Sequence, residues 1–336
     1  MNSPVQMPDH WQTVLSQTIS SPAQLISYLE LPESLSDKAD QACLEFAMRV
    51  PKPWLDRIEK GNINDPLLKQ ILPAAEELHQ VPGFITDPLA EKESSPTQGL
   101  IHKYQGRVLV VLTGACAINC RYCFRRHFPY QENKLGPEQW QAILDYIQAD
   151  TSISEVIFSG GDPLVSSDKR LQQLVQDLEQ IPHLQRLRIH SRLPVVLPQR
   201  VTANLCSILE KTRLNVVTVI HSNHANEIDN AVAQAVTLLK QAGCTVLNQA
   251  VLLRGINDSV EQLKALSETL FQAGILPYYL FTFDPVKGAA HFDVPDSEAK
   301  QLIQQLQAQL PGYLVPKLAR EIPGQPSKTL LIPEQG

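Results

Sequence analysis

Six short runs rich in β-branched and aromatic residues, at 108–112, 155–158, 187–190, 215–220, 245–252 and 278–283, recur along this chain, and each is followed by an amphipathic stretch of helical length. The helical stretches are 137–148, 168–180, 198–211, 226–242, 260–273 and 297–309. A strand that must cross a helix before the next strand cannot form a hairpin with it; the right-handed crossover lays the two side by side and parallel. Six such units predict an α/β fold, a parallel sheet curled into a partial (β/α)6 barrel that stops short of the eight units of a closed one. They occupy residues 99–310. Residues 1–98 read as a helical region and linker: Ser21 caps a helix over 23–29 with Pro22 at its first position, and 37–48 and 66–79 carry apolar residues three and four apart. Pro82-Gly83 and the polar stretch 91–98 then mark the linker, and 311–336 is a separate C-terminal segment.

Parallel barrels carry their chemistry in the loops after the strands. After the first run stands Gly114-Ala115-Cys116-Ala117-Ile118-Asn119-Cys120-Arg121-Tyr122-Cys123-Phe124-Arg125-Arg126-His127. A cubane of four irons normally takes four cysteinates, so three thiols on one short loop leave one iron open to a small molecule. A structural zinc with His127 as fourth ligand, or a chance grouping of buried thiols, is the alternative; zinc sites usually draw their ligand pairs from separated segments. Arg125, Arg126 and His127 read as holders of an anion. Cys43, Cys206 and Cys244 stand in apolar or helical contexts and read as core residues. The later loops bring Ser159-Gly160-Gly161-Asp162-Pro163, His190-Ser191-Arg192, His221-Ser222-Asn223-His224, then Asn248, Gln249 and Arg254, and finally Asp284. Each alone is an ordinary turn or surface residue; their joint placement on one face marks a site. The Gly-Gly pair lets the backbone approach a ligand closely.

A net charge of −6 without a basic stripe argues against a nucleic-acid partner. No apolar run reaches the ~18 residues of a membrane span and no secretory pattern opens the chain, so a cytoplasmic protein with reduced thiols is expected.

The three cysteines, with an aromatic before the third, and the Ser159-to-Pro163 loop resemble the radical S-adenosylmethionine superfamily. Arg107-Val108-Leu109, the run from Cys120 to Arg126, Ser191-Arg192-Leu193-Pro194-Val195-Val196-Leu197-Pro198-Gln199-Arg200, Asn248-Gln249 and Tyr278-Tyr279 are similar in order and spacing to lysine 2,3-aminomutases. The resemblance implies a partial barrel and an isomerase that moves the amino group of L-α-lysine from C2 to C3, giving (R)-β-lysine. It implies a [4Fe-4S] cluster on Cys116, Cys120 and Cys123, and S-adenosyl-L-methionine on the open iron beside Gly160, Gly161 and Asp162. It implies an external one-electron reductant and pyridoxal 5′-phosphate held through Lys328, with Arg107 on its phosphate. Arg125 would pair bidentately with the substrate carboxylate, and Asp284 and Glu321 would hold the ε-ammonium. Longer members of the family carry Asp where Glu321 stands, and a zinc-binding extension that is not expected here. The shorter form resembles members that supply β-lysine for attachment to elongation factor P by a separate ligase. An aminomutase unconnected with elongation factor P, and an iron-sulfur or zinc protein without turnover, remain as alternatives. Hydrogen removal from C3 lies beyond any side-chain base, which is why this chemistry asks for a radical.

Overall fold

The computed structural model describes residues 11–133 and 135–333. Its nine strands form one sheet in sequence order: β1 (Leu100–Tyr104), β2 (Arg107–Thr113), β3 (Glu155–Gly160), β4 (Arg186–Ser191), β5 (Asn215–His221), β6 (Thr245–Val251), β7 (Leu276–Phe281), β8 (Lys317–Arg320) and β9 (Thr329–Leu330). All six expected strands are present and pair parallel, β2 through β7. Helices Pro137–Ala149, Asp168–Glu179, Ala203–Lys211, Asn230–Gln241, Val260–Gln272 and Asp296–Gln307 provide the crossovers.

Three strands escaped the sequence pattern. β8 is a seventh parallel strand beside β7, and β1 and β9 add antiparallel edges next to β2 and β8. Short runs such as Lys-Leu-Ala-Arg have little intrinsic strand signal; pairing with an existing edge makes them strands. The C-terminal segment is therefore woven into the sheet. The expected helix over 66–79 is only Pro66–Lys69 followed by a 3-10 turn, Ala75–Leu78. Pro73 between them cannot donate to a helical ladder.

Strand alternation divides the sheet into two chemically different faces. Val108, Val110 and Leu112 of β2, Val156 and Phe158 of β3, and Leu187 and Ile189 of β4 join the core under the helices. The alternate residues, Arg107, Ser159, Arg188, His190, His221 and Gln249 among them, line the concave face. A packed closed barrel fills its interior with bulky apolar chains; here polar and charged side chains share that face with Leu109, Ile157 and Val219. Trp11, Leu25, Trp54 and Leu68 from the N-terminal helices belong to the same continuous core as the barrel.

Candidate active site

The cysteine loop leaves β2 at Thr113 and is fastened to the N-terminal region. Arg121 is fully buried, donates from Nε and Nη2 to the two oxygens of Glu77 (2.8 and 2.6 Å), and gives Nη1 to the Phe46 carbonyl at 2.7 Å. Arg126 Nη2 shares Glu77 at 2.8 Å and its Nη1 reaches the Gly288 carbonyl at 2.7 Å. Arg126 is thus a structural clamp, contrary to its reading as an anion holder. His127 bonds the Lys287 carbonyl oxygen through Nε2 at 3.0 Å, so it too is committed elsewhere. Asn119 N and Arg121 N donate to the Arg49 and Gln70 carbonyls (3.0 and 2.9 Å), which fixes the path between the cysteines.

Burial, then the charge of its neighbour Cys123, holds the Cys116 thiol well above its ordinary range; burial and Cys120 push Cys123 up to about 11. Thiols so placed are costly to ionise without a cation among them, so the donor set fits a cluster of positive irons. Arg192 Nη1 donates to Cys120 Sγ at 2.7 Å, the kind of bond to a ligating sulfur that tunes a cluster. Among the described residues no three His, Cys, Asp or Glu side chains converge on the position of a single ion. A four-iron cube presents its irons at separate corners and asks for no such convergence. Cys43 and Cys206 pack against the core and Cys244 lies within it, as expected.

The Gly-Gly loop lies directly on the start of the cysteine loop. Gly161 N donates to the Thr113 carbonyl at 2.6 Å and Asp162 N to that of Ala115 at 2.9 Å. A Cβ at Gly161 would stand 2.8 Å from the carbonyl carbons of Gly114 and Ala115, and one at Gly160, where φ is +117°, 2.6 Å from the Thr113 oxygen. Only glycine permits this approach. The Asp162 carboxylate, expected at S-adenosylmethionine, is filled by the chain itself. It accepts from Leu164 N (3.0 Å), Ser191 Oγ (2.7 Å), Arg192 N (2.8 Å) and Leu193 N (3.0 Å). Its side chain anchors the loop after β4.

Arg125 is buried, and its bidentate edge, expected to meet a substrate carboxylate, is occupied. Nε and Nη2 donate to Glu91 at 2.8 and 2.6 Å, and Nη1 turns to Ser159 Oγ and the Gly160 carbonyl at 3.1 and 3.3 Å. Every nitrogen of the fork has a partner within the chain, and the longer Nη1 contacts are the ones a ligand could displace.

At the far end Lys328 and Glu321 meet, Nζ to Oε2 2.7 Å, while Lys103 Nζ takes Oε1 at 2.8 Å. Two ammonium groups outweigh burial and draw the Glu321 carboxyl down to about 2. Asp284 is the opposite case: burial first, and the charge of Glu321 second, push it up to about 7. No side-chain hydrogen bond or salt bridge reaches its carboxyl among the described residues, and the more distant charges of Lys328, Arg320 and Lys103 only partly offset the rise. The Lys328 ammonium sits 5.7 Å from the Tyr104 ring centroid and 4.8 Å from that of Phe281. Arg107 stacks over the same Tyr104 ring at 4.7 Å and makes no ion pair among the described residues. Lys328 and Arg107 therefore share one aromatic neighbour, which brings an amine and a guanidinium without an ion pair to the same ring. That donor set fits pyridoxal phosphate, which needs an amine for its aldehyde and a cation for its phosphate.

The sequence reading missed Glu77, Glu91 and Lys103, each a charged residue in a segment taken as helix, linker or unassigned. Nothing local singled out Glu91, which stands beside Lys92 and Glu93 in a charged stretch of the linker. Arg254 was over-read: it is a surface residue paired with Glu298 at 2.7 Å. Asn248 serves the fold, clamping the Ser222 backbone from both sides (2.9 and 3.0 Å).

Cysteines in the first strand-end loop and glycines in the second, on a curled parallel sheet, define the class of radical S-adenosylmethionine enzymes, and the Radical SAM superfamily model matches residues 110–219. Over 321 residues the chain is 53% identical to L-lysine 2,3-aminomutase of Haemophilus influenzae, covering 96% of this chain and 95% of that one. It is 48% identical over 332 residues to that of Escherichia coli K12 (98% and 96%), and 36% over 324 to that of Clostridium subterminale (96% and 78%). The chain belongs to the lysine 2,3-aminomutase family. As a member it is an isomerase using S-adenosylmethionine and a [4Fe-4S] cluster, and it needs an electron source. Among the described residues no helix is long and apolar enough to cross a membrane.

Proposed function

We propose that this protein converts L-α-lysine to (R)-β-lysine with pyridoxal phosphate as second cofactor, and that the product is made for attachment to elongation factor P by a separate ligase. The observation that carries the lysine reading is a pair of acids beside Lys328: Glu321, bonded to its ammonium at 2.7 Å, and Asp284, whose carboxyl has no salt-bridge or side-chain hydrogen-bond partner among the described residues. When bound, the cluster with S-adenosylmethionine supplies a hydrogen-abstracting radical, and pyridoxal phosphate supplies a π system that spreads the unpaired spin. Cys116, Cys120 and Cys123 hold the irons, and Gly160 and Gly161 face S-adenosylmethionine with their backbone. Lys328 binds the pyridoxal aldehyde and Arg107 its phosphate. Arg125, steadied by Glu91, offers Nη1 to the substrate carboxylate in exchange for Ser159 and Gly160. Asp284, with Glu321 behind it, takes the ε-ammonium. A glutamate side chain would meet these two carboxylates with its own charge and be repelled. The elongation factor P assignment is supported by the resemblance of the chain's motifs.

The test is anaerobic incubation of the reconstituted protein with L-lysine, S-adenosylmethionine, pyridoxal phosphate and a strong reductant, with products resolved by chiral chromatography. (R)-β-lysine is expected, and its formation should require the pyridoxal cofactor. Turnover of glutamate or alanine in preference to lysine would overturn the substrate assignment. Adding elongation factor P and the ligase should raise the factor's mass by one β-lysyl group; no transfer of the isolated product would overturn that link.

A further inference from the structure

The sheet is open. β1 and β9 are its outer strands, and among the described residues no backbone pairing joins them. The gap is crossed by side chains: Lys103 of β1 reaches Glu321, which follows β8, and Glu321 in turn holds Lys328, which immediately precedes β9. The three side chains are 13%, 16% and 21% exposed. Lys103 Nζ is anchored a second time, on the Leu89 carbonyl at 2.9 Å, so it is fixed independently of the segment it grips.

We propose that Lys103 is a positioning residue that clasps Glu321 across the open edge and keeps that carboxylate paired when Lys328 is uncharged. The inference rests on the reading of Lys328 as the cofactor lysine. To bind an aldehyde, Lys328 first gives one proton to solvent; the amine then adds to the carbonyl carbon, and the oxygen leaves as water with the two remaining amine hydrogens. Were Lys328 the sole partner of Glu321, this loss of charge would strand a largely buried anion, which is costly. Lys103 removes that cost, because one oxygen of Glu321 stays paired throughout. The other groups facing Lys328 bring no second positive charge to Glu321. Asp284 is a second acid, His190 is held neutral by burial, the Tyr104 hydroxyl beside Glu321 is held neutral by burial, and Arg107 and Arg320 are turned to Tyr104 and Asp296. The same clasp keeps the segment between β8 and β9 against β1.

The experiment titrates covalent capture of pyridoxal phosphate by absorbance against pH, without S-adenosylmethionine. Wild type is compared with Lys103→Met, Lys103→Gln and Lys103→Arg, and borohydride fixation and peptide mapping confirm Lys328 as the labelled residue. Lys103→Met and Lys103→Gln leave Glu321 to Lys328 alone, stabilise its ammonium, and should raise the capture midpoint by about one pH unit or more. Lys103→Arg should keep the wild-type midpoint. Hydrogen exchange of the cofactor-free proteins reads the clasp separately: residues 321–331 should exchange faster in Lys103→Met and at the wild-type rate in Lys103→Arg. An unchanged midpoint in both neutral variants, or unchanged exchange in Lys103→Met, overturns the inference. Failure of wild type itself to capture the aldehyde on Lys328 overturns the cofactor reading instead.

Discussion

Replacing Asp284 by Asn should make the protein more stable and poorer at binding lysine. The Asp284 carboxyl rises from the ordinary 3.8 to about 7 in the fold. Between those values the native state holds a proton that the unfolded chain has lost, so stability declines as pH rises through this window. The full penalty is present above pH 7 and absent below about 4. A rise of about three pH units is at most about 4 kcal/mol; Asp284 is only partly buried, so solvent screens part of it, leaving about 2 kcal/mol. Asn carries no such penalty. Thermal unfolding of the cofactor-free proteins at pH 8.5 should show Asp284→Asn melting about 2–4 °C higher, with the difference falling to about a third at pH 5. Lysine binding moves the other way. The ammonium loses a charged partner, a hydrogen bond worth about 1.5–3 kcal/mol, or a weakening of about ten- to a hundredfold. Wild-type lysine affinity should also fall below pH 7 as Asp284 takes up its proton. A variant less stable than wild type at pH 8.5, or a lysine KM flat between pH 6 and 8, would sink the argument that Asp284 is an ionised acid awaiting a cation.

Glu77→Gln strips a fully buried partner from Arg121 and Arg126, so denaturant unfolding should show a loss of about 3–5 kcal/mol, with fewer irons retained per chain; unchanged iron and midpoint would show that Glu77 does not secure the cysteine loop. Gly161→Ala drives a methyl into the Gly114 and Ala115 backbone; equilibrium binding should show S-adenosylmethionine weakened more than tenfold, and normal affinity would remove the need for glycine there. Cys116→Ala, Cys120→Ala and Cys123→Ala should each abolish the cluster, while Cys206→Ala keeps full iron content; intact iron in any of the first three would refute that ligand. Lys328→Ala should lose the borohydride-fixed label yet keep its iron, since the two cofactors have separate anchors, and label persisting on another lysine would reassign the role.

Local sequence determined much of this. The period-two runs set six parallel strands in place, because alternation and crossover length leave few other ways to bury those side chains. The cysteine spacing and the Gly-Gly pair are short-range: both act within one loop, so adjacency in sequence is adjacency in space. Charge pairing was decided by tertiary structure, because it joins residues far apart in the chain. Arg125 and Arg126 are neighbours of one residue type, yet Glu91 takes the first and Glu77 the second, and neither shows which from sequence. Glu321 and Asp284 look alike as acids; two lysines draw one far down, and burial beside the other's charge pushes the second up. Lys103 and Lys328 stand at opposite edges of the sheet, and only its curl brings both to one carboxylate. An ion pair depends on distance through space, and a one-dimensional pattern carries that distance only where the chain is locally rigid.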